Sequence, residues 1–231
     1  TPGEARVLGL GTVPGLEAHI FIYRSGRDLA AIPRTLMVID LFGLSEADVR
    51  TRFPAVYQHL LDKVKAERDQ NNRDSYKRNW WVHGEPRRDM RPALKGLPRY
   101  VVTTRTAKHR TFQFMSSEVL AESKIVVLAL ADAWELAVLN SKHHLAFALV
   151  AGGWLGVGND PTYNHSDCFN PFPFPDATEV QKSRLRALGE ELDAHRKAQQ
   201  AAHPRLTLTA LYNVLEKLRA GERIEGRDRE T

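Results

Sequence analysis

Two stretches of the chain carry side chains suited to holding a polyanion. Trp80-Trp81-Val82-His83-Gly84-Glu85-Pro86-Arg87-Arg88 sets bulky aromatics beside a pair of arginines. Thr103-Thr104-Arg105-Thr106-Ala107-Lys108-His109-Arg110 mixes hydroxyls with cations. Hydroxyl, ammonium and guanidinium groups donate to phosphate oxygens, and arginine also reads guanine bidentately. From Asp62 to Arg110, a window that includes Lys77 and Arg78, fourteen Lys and Arg face six Asp and Glu. The whole chain holds 33 basic and 28 acidic residues, net +5, so the remainder is net negative and the basic character is local. A solvated basic face over two core tryptophans is the competing reading of this window.

Other groups have the types but not the spacing for chemistry. Asp160-Pro161-Thr162-Tyr163 and Asn170-Pro171-Phe172 look like the Asn/Asp-Pro-Pro-aromatic motif of amino-methylating methyltransferases, yet no parallel strand or glycine-rich cofactor loop precedes them. They read as proline–aromatic loop packing. Gly9-Leu10-Gly11 lacks the third glycine and following helix of a dinucleotide fingerprint. Pro175-Asp176 with Glu179 and Lys182 resembles a nuclease signature, but these residues fall on one helical turn, where acids suit the helix dipole. Adjacent His143 and His144 point to different sides of a helix and cannot chelate together, and His165 and Cys168 lack further ligands. No Ser-His-Asp order, CxxC or HExxH occurs. The sequence therefore predicts no catalytic residue and no metal site.

The single cysteine, Cys168, forbids an internal disulfide and fits a reducing cytoplasm. No apolar run approaches the roughly 20 residues of a membrane span, so no membrane partner is expected. With no signal peptide, a Thr1-Pro2 start and Met37 as its first methionine, the chain reads as a piece of a longer protein.

The positioning elements follow from periodicity. Residues 19–23, 35–41, 80–83, 99–104, 111–115 and 125–131 read as strands, short and mostly β-branched or aromatic. In that reading Trp80 and Trp81 alternate, one toward the core and one toward the polyanion-facing loops. Ser45 with Asp48 forms a capping box that opens a helix toward Lys65, with a new first turn at Pro54. The polar run from Lys65 to Asn79 reads as the helix end and an exposed loop. Ser141 starts a helix that Gly152-Gly153 stops. From Gly152 to Pro175 an ordered loop packs its aromatics on the core. Residues 178–202 form a long polar helix with Val180, Leu185, Leu188 and Leu192 on one side. His203-Pro204 breaks it, and a last helix buries Leu208, Leu211, Val214, Leu215 and Leu218. The expected class is α+β: a mixed, mostly antiparallel sheet with packed helices over 1–175, then a small helical segment over 176–231.

The ordered set of these patches resembles the target recognition domain and C-terminal region of MmeI-like (type IIL) DNA methyltransferases, relatives of type IIG restriction–modification enzymes. Tyr23-Arg24-Ser25-Gly26-Arg27-Asp28-Leu29 with Pro33-Arg34 is similar to the entry into that domain. Trp80-Trp81 through Tyr100, the loop at 104–110, and Ala137 to Lys142 with its helix follow in the family's order. Tyr163-Asn164 and Cys168 to Pro175 resemble the closing aromatic–proline motif, and His203-Pro204 with Leu206 to Tyr212 the terminal helical pair. The resemblance implies that a catalytic domain preceding Thr1 transfers methyl from S-adenosylmethionine to adenine, while this part selects the site in double-stranded DNA and binds no cofactor itself. It also makes that catalytic domain a partner. The implied DNA contacts are Arg24, Arg27, Lys77, Arg78, Arg87, Arg88, Arg105, Lys108, His109 and Arg110, with Asn159 and Asp160 as base readers. Family members set specificity shortly before the closing Tyr-Asn with charged or amide side chains, whereas Gly156 to Asp160 here is Gly-Val-Gly-Asn-Asp. The alternative function is a non-catalytic scaffold whose terminal helices dock the catalytic domain or another partner.

Overall fold

The computed structural model describes residues 1–155 and 160–231. In chain order its helices are α1 (Pro2–Val7), α2 (Gly26–Ala30), α3 (Glu46–Arg52), α4 (Pro54–Leu60), α5 (Ala66–Asp69), α6 (Asp74–Arg78), α7 (Met90–Leu94), α8 (Ala133–Leu139), α9 (Lys142–Ala151), α10 (Glu179–Ala202) and α11 (Leu208–Arg219). The strands are β1 (Ile20–Arg24), β2 (Leu36–Ile39), β3 (Arg99–Thr104), β4 (Gln113–Ser116), β5 (Val119–Ala121), β6 (Ile125–Leu128), β7 (Trp154–Leu155) and β8 (Asp160–Pro161). Helices with small antiparallel sheets make the α+β class the sequence implies. The chain forms two compact units: Thr1–Tyr23 with Thr35–Lys95 and Glu118–Leu120, and Arg24–Arg34 with Gly96–Ser117 and Ala121–Thr231.

In the first unit β1 pairs antiparallel with β2, Ile20 opposite Ile39, in a sheet ordered β2-β1-β5. The Ser45 hydroxyl accepts from the Asp48 amide at 3.1 Å and the Asp48 carboxylate accepts from the Ser45 amide, so the capping box forms as expected. Pro54 opens α4 as a new first turn, and a wide turn at Leu61–Lys65 carries the chain into α5. Val49, Phe53, Val56 and Leu60 then face Leu16, Ile20 and Leu41 in one core. Two short helices, α5 and α6, occupy part of the stretch expected to be loop.

The strand expected at 80–83 is a turn. The Val82 amide donates to the Asn79 carbonyl at 3.2 Å, closing a turn over both tryptophans. A turn frees consecutive side chains from strand alternation. Trp80 is buried, 3% exposed, against Tyr57 at 5.7 Å, and Trp81 packs on the same cluster while its indole N–H donates to the Leu44 carbonyl at 3.0 Å. Neither ring is left to meet a ligand as the alternation implied.

In the second unit β3 is central, with β4 and β6 antiparallel on either side. Val101, Phe112, Phe114 and Leu128 form its core with Leu136 and Leu139 of α8, Ala148 of α9, and Tyr163 and Cys168. Tyr163, Phe169, Phe172 and Phe174 of the 152–175 segment do pack down, Phe172 4.5 Å from His144, whereas Trp154 is 51% exposed against the expectation.

Helix α10 departs from its expected orientation. Val180 and Leu188 are 67% and 58% exposed, and its buried residues are Gly189, Asp193, Arg196 and Gln200. These recur at intervals of four, three and four residues, which is helical spacing for one face. The face is polar because it meets the outer edge of β4. Asp193 accepts from the Phe114 amide at 3.0 Å, Lys197 donates to the Phe114 carbonyl at 2.8 Å, and Arg196 donates to the Phe112 carbonyl at 3.2 Å. Buried backbone groups need partners, and here side chains supply them.

Candidate nucleic-acid interface

A groove of about 730 Å³ opens in the second unit. Its walls are the start of α2 (Ser25 to Arg27), the loop Thr104 to His109 that follows β3, the turn at Glu122 to Lys124 before β6, Leu155, and the start of α11 (Leu208, Thr209). Arg27, Arg105, Lys108 and Lys124 face a single lining acid, Glu122, and Ser25, Thr104, Thr106, Thr111 and Thr209 add hydroxyls. A concave wall of one sign concentrates field lines and suits a polyanion.

Backbone bonds fix the walls. The Arg105 amide donates to the Lys124 carbonyl at 2.7 Å, and its carbonyl accepts from the Tyr163 amide at 2.8 Å. Thr106 bridges Thr162, so the loop is tied down on both sides of its first cation. At the opposite wall Ser25 caps α2 through Asp28, whose buried carboxylate also takes the Arg34 guanidinium at 2.8 Å. That guanidinium, ahead of the opposing effect of burial, holds the Asp28 carboxyl far below the ordinary range.

Lys108 and Arg110 of the loop 104–110 are paired within the fold. Of the loop's cations only Arg105 is exposed without a side-chain hydrogen bond or ion pair among the described residues, and Arg27 and Lys124 in the same groove are likewise exposed and without one. Lys108 donates to Asn213 Oδ1 at 2.6 Å, and His109 Nε2 lies 2.8 Å from the same oxygen. Arg110 turns inward. It donates to the Thr104 carbonyl, to the Thr103 hydroxyl at 3.3 Å and to the Pro161 carbonyl at 3.0 Å, over the Tyr163 ring at 5.3 Å. Burial lowers its pKa to about 10, the mark of a cation used as an internal strut.

The remaining sequence candidates scatter. Arg24 lies outside the groove lining and donates to the Arg34 carbonyl. Lys77, Arg78, Arg87 and Arg88 are exposed in the first unit, where Lys77 and Arg78 close α6 and Arg87 pairs with Glu85 at 3.0 Å from a left-handed backbone, φ +50°. Asp160 is exposed in β8, and Asn159 lies outside the described residues. Lys124 is the groove cation that sequence reasoning missed. It is a lone lysine before an apolar strand, and only the pairing of β3 with β6 brings it beside Arg105.

No group of three potential metal ligands occurs among the described residues. Gly9 and Gly11 lie in a turn after a helix, at φ +104° and +85°, and do not link a strand to a helix as a cofactor cradle requires. Among the described residues no helix is long and apolar enough to cross a membrane.

Comparison with known proteins defines the class. The family model described as the MmeI target recognition domain matches residues 39–176, and the chain belongs to that family. The fold is similar to that of a solved structure of the Type IIL restriction–modification enzyme MmeI in complex with DNA, at a TM-score of 0.61 and 19% identity. That match covers 90% of this chain and 27% of the MmeI chain, so the chain spans about a quarter of that relative's length. No curated protein sequence matches.

Proposed function

We propose that this chain selects the target sequence in duplex DNA for a restriction–modification enzyme. The observation that carries the reading is the groove that sets Arg27, Arg105, Lys108 and Lys124 against one acid, in a chain of the MmeI target recognition domain family. Phosphates lie along the basic walls and fix register, while sequence is read at base edges. In this reading the longer protein works in the cytoplasm. A separate methyltransferase domain contacts this chain and transfers methyl from S-adenosylmethionine to the exocyclic amine of adenine, and this chain performs no chemistry. Arg27, Arg105 and Lys124 are the primary phosphate contacts, and Asn159 and Asp160 remain proposed base readers.

The test is a titration of the chain with duplex DNA at two salt concentrations, comparing wild type with the Arg27→Ala, Arg105→Ala, Lys124→Ala triple variant. Wild type should bind with an affinity that falls steeply with salt, and the triple variant should lose about three units of the logarithmic salt slope. Unchanged binding by a folded triple variant removes the groove from the DNA interface.

A further inference from the structure

Helix α11 carries an acid and an amide into the basic groove's edge. Asn213 Oδ1 takes Lys108 Nζ at 2.6 Å and His109 Nε2 at 2.8 Å. The Glu216 carboxylate, one turn on, lies 3.8 Å from Lys108 Nζ and 3.4 Å from His109 Nδ1. Both ring nitrogens of His109 and the Lys108 ammonium thus face oxygens of one helix. That cluster of oxygens before two donors is the arrangement a phosphate group would offer.

The pairing is exchangeable. The Lys108 and Glu216 side chains are 57% and 60% exposed, and an exposed ion pair of this kind contributes little to stability. A phosphate brings more negative charge and more acceptor oxygens than the Glu216–Asn213 pair. His109 is held by the Tyr212 ring, 5.9 Å away, with its side chain 9% exposed, so it braces Asn213 while Lys108 is the group open to a phosphate.

We propose that Asn213 and Glu216 form an autoinhibitory contact on the groove, occupying Lys108 as a phosphate would and so lowering the DNA affinity of this loop. This rests on the groove being a DNA interface. Any duplex must displace the Glu216 carboxylate to gain the Lys108 ammonium, and that penalty is the same for every sequence. The contact therefore weakens binding evenly and leaves the ratio between correct and incorrect sites unchanged.

The experiment titrates a labelled mixed-sequence duplex with wild type, Glu216→Gln, Lys108→Ala and the Glu216→Gln, Lys108→Ala double variant at low and moderate salt. Glu216→Gln removes the charge and keeps the shape, so it should fold as wild type does. It should bind roughly threefold to tenfold more tightly at low salt, with a steeper salt dependence, and the double variant should lose that gain. Glu216→Gln binding no better than wild type, or a gain that survives Lys108→Ala, overturns the role of α11 and leaves the DNA-reading function intact. Failure of both wild type and Glu216→Gln to bind duplex at low salt overturns the DNA interface itself, and this inference with it.

Discussion

The Tyr163 hydroxyl and His144 Nε2 lie 3.1 Å apart in the core of the second unit, both side chains fully buried. His144 Nδ1 lies 2.8 Å from the Leu139 carbonyl, which can only accept, so Nδ1 carries the proton and Nε2 accepts from Tyr163. Burial is the main cause that lowers the His144 pKa below its ordinary value. The folded state therefore binds fewer protons than the unfolded chain as pH drops through the histidine range. Stability should fall as pH drops through the ordinary histidine value of about 6.5, where the unfolded chain takes up the proton more readily than the buried ring. Chemical denaturation at several pH values should show this slope in wild type and a flatter one in His144→Gln. Parallel pH dependence in the two proteins would refute the assignment.

Gly189 sets how closely α10 approaches α8. A β-carbon there would stand 2.1 Å from the Ala133 carbonyl oxygen, a backbone atom that cannot swing away. In an exposed helix, alanine would gain about 1 kcal/mol over glycine. Here Gly189→Ala should instead lose roughly 1–3 kcal/mol, because α10 must shift to admit the methyl group. A denaturant midpoint above that of wild type would show that the helices are not in contact at this position.

Two cations of the second unit, Lys124 and Arg110, should behave oppositely. Lys124→Ala should leave stability nearly unchanged, weaken DNA binding evenly across sequences and lower the salt slope by about one unit. Arg110→Ala strips the Thr104 and Pro161 carbonyls of a donor and should lower stability by roughly 1–3 kcal/mol. Thermal melts beside binding titrations separate the two, and an Arg110→Ala protein as stable as wild type would restore that residue to the candidate phosphate contacts.

Asp28 ties the groove's second wall to Arg34, and its carboxyl titrates well below the usual range. A depressed carboxylate adds stability at neutral pH that is lost as pH falls below about 4. Asp28→Asn should cost roughly 1–3 kcal/mol at neutral pH and flatten the acid limb of the stability profile. Acid unfolding that coincides in both proteins would contradict this.

Local signals were legible where one stretch of chain settles its own structure. β-branched runs gave β1, β2 and β3, and Ser45, Pro54, Ser141 and Thr207 start helices where capping and ring geometry place them. Longer-range facts were not legible. Trp80 and Trp81 are aromatic enough for a strand, and only the Asn79–Val82 turn and the distant Leu44 carbonyl settle them otherwise. Leucine spacing in α10 misled because the surface it meets is a row of peptide groups, which attracts Asp193, Arg196 and Lys197. The loop cations were legible as charges, but their partners, Asn213 and Pro161, lie 105 and 51 residues away. The basic wall was visible in the sequence; which of its members remain available to a ligand was decided by the fold.

The side chains that α10 spends on β4 make the C-terminal segment a guard against self-association. A chain ending at Pro175 would present the outward peptide groups of Phe112 and Phe114 with Asp193, Arg196 and Lys197 gone. Such a bare edge is a template for a neighbouring strand. Shortened versions of this recognition module should therefore cluster through β4, and a shortened module has to keep α10 for that edge to stay covered.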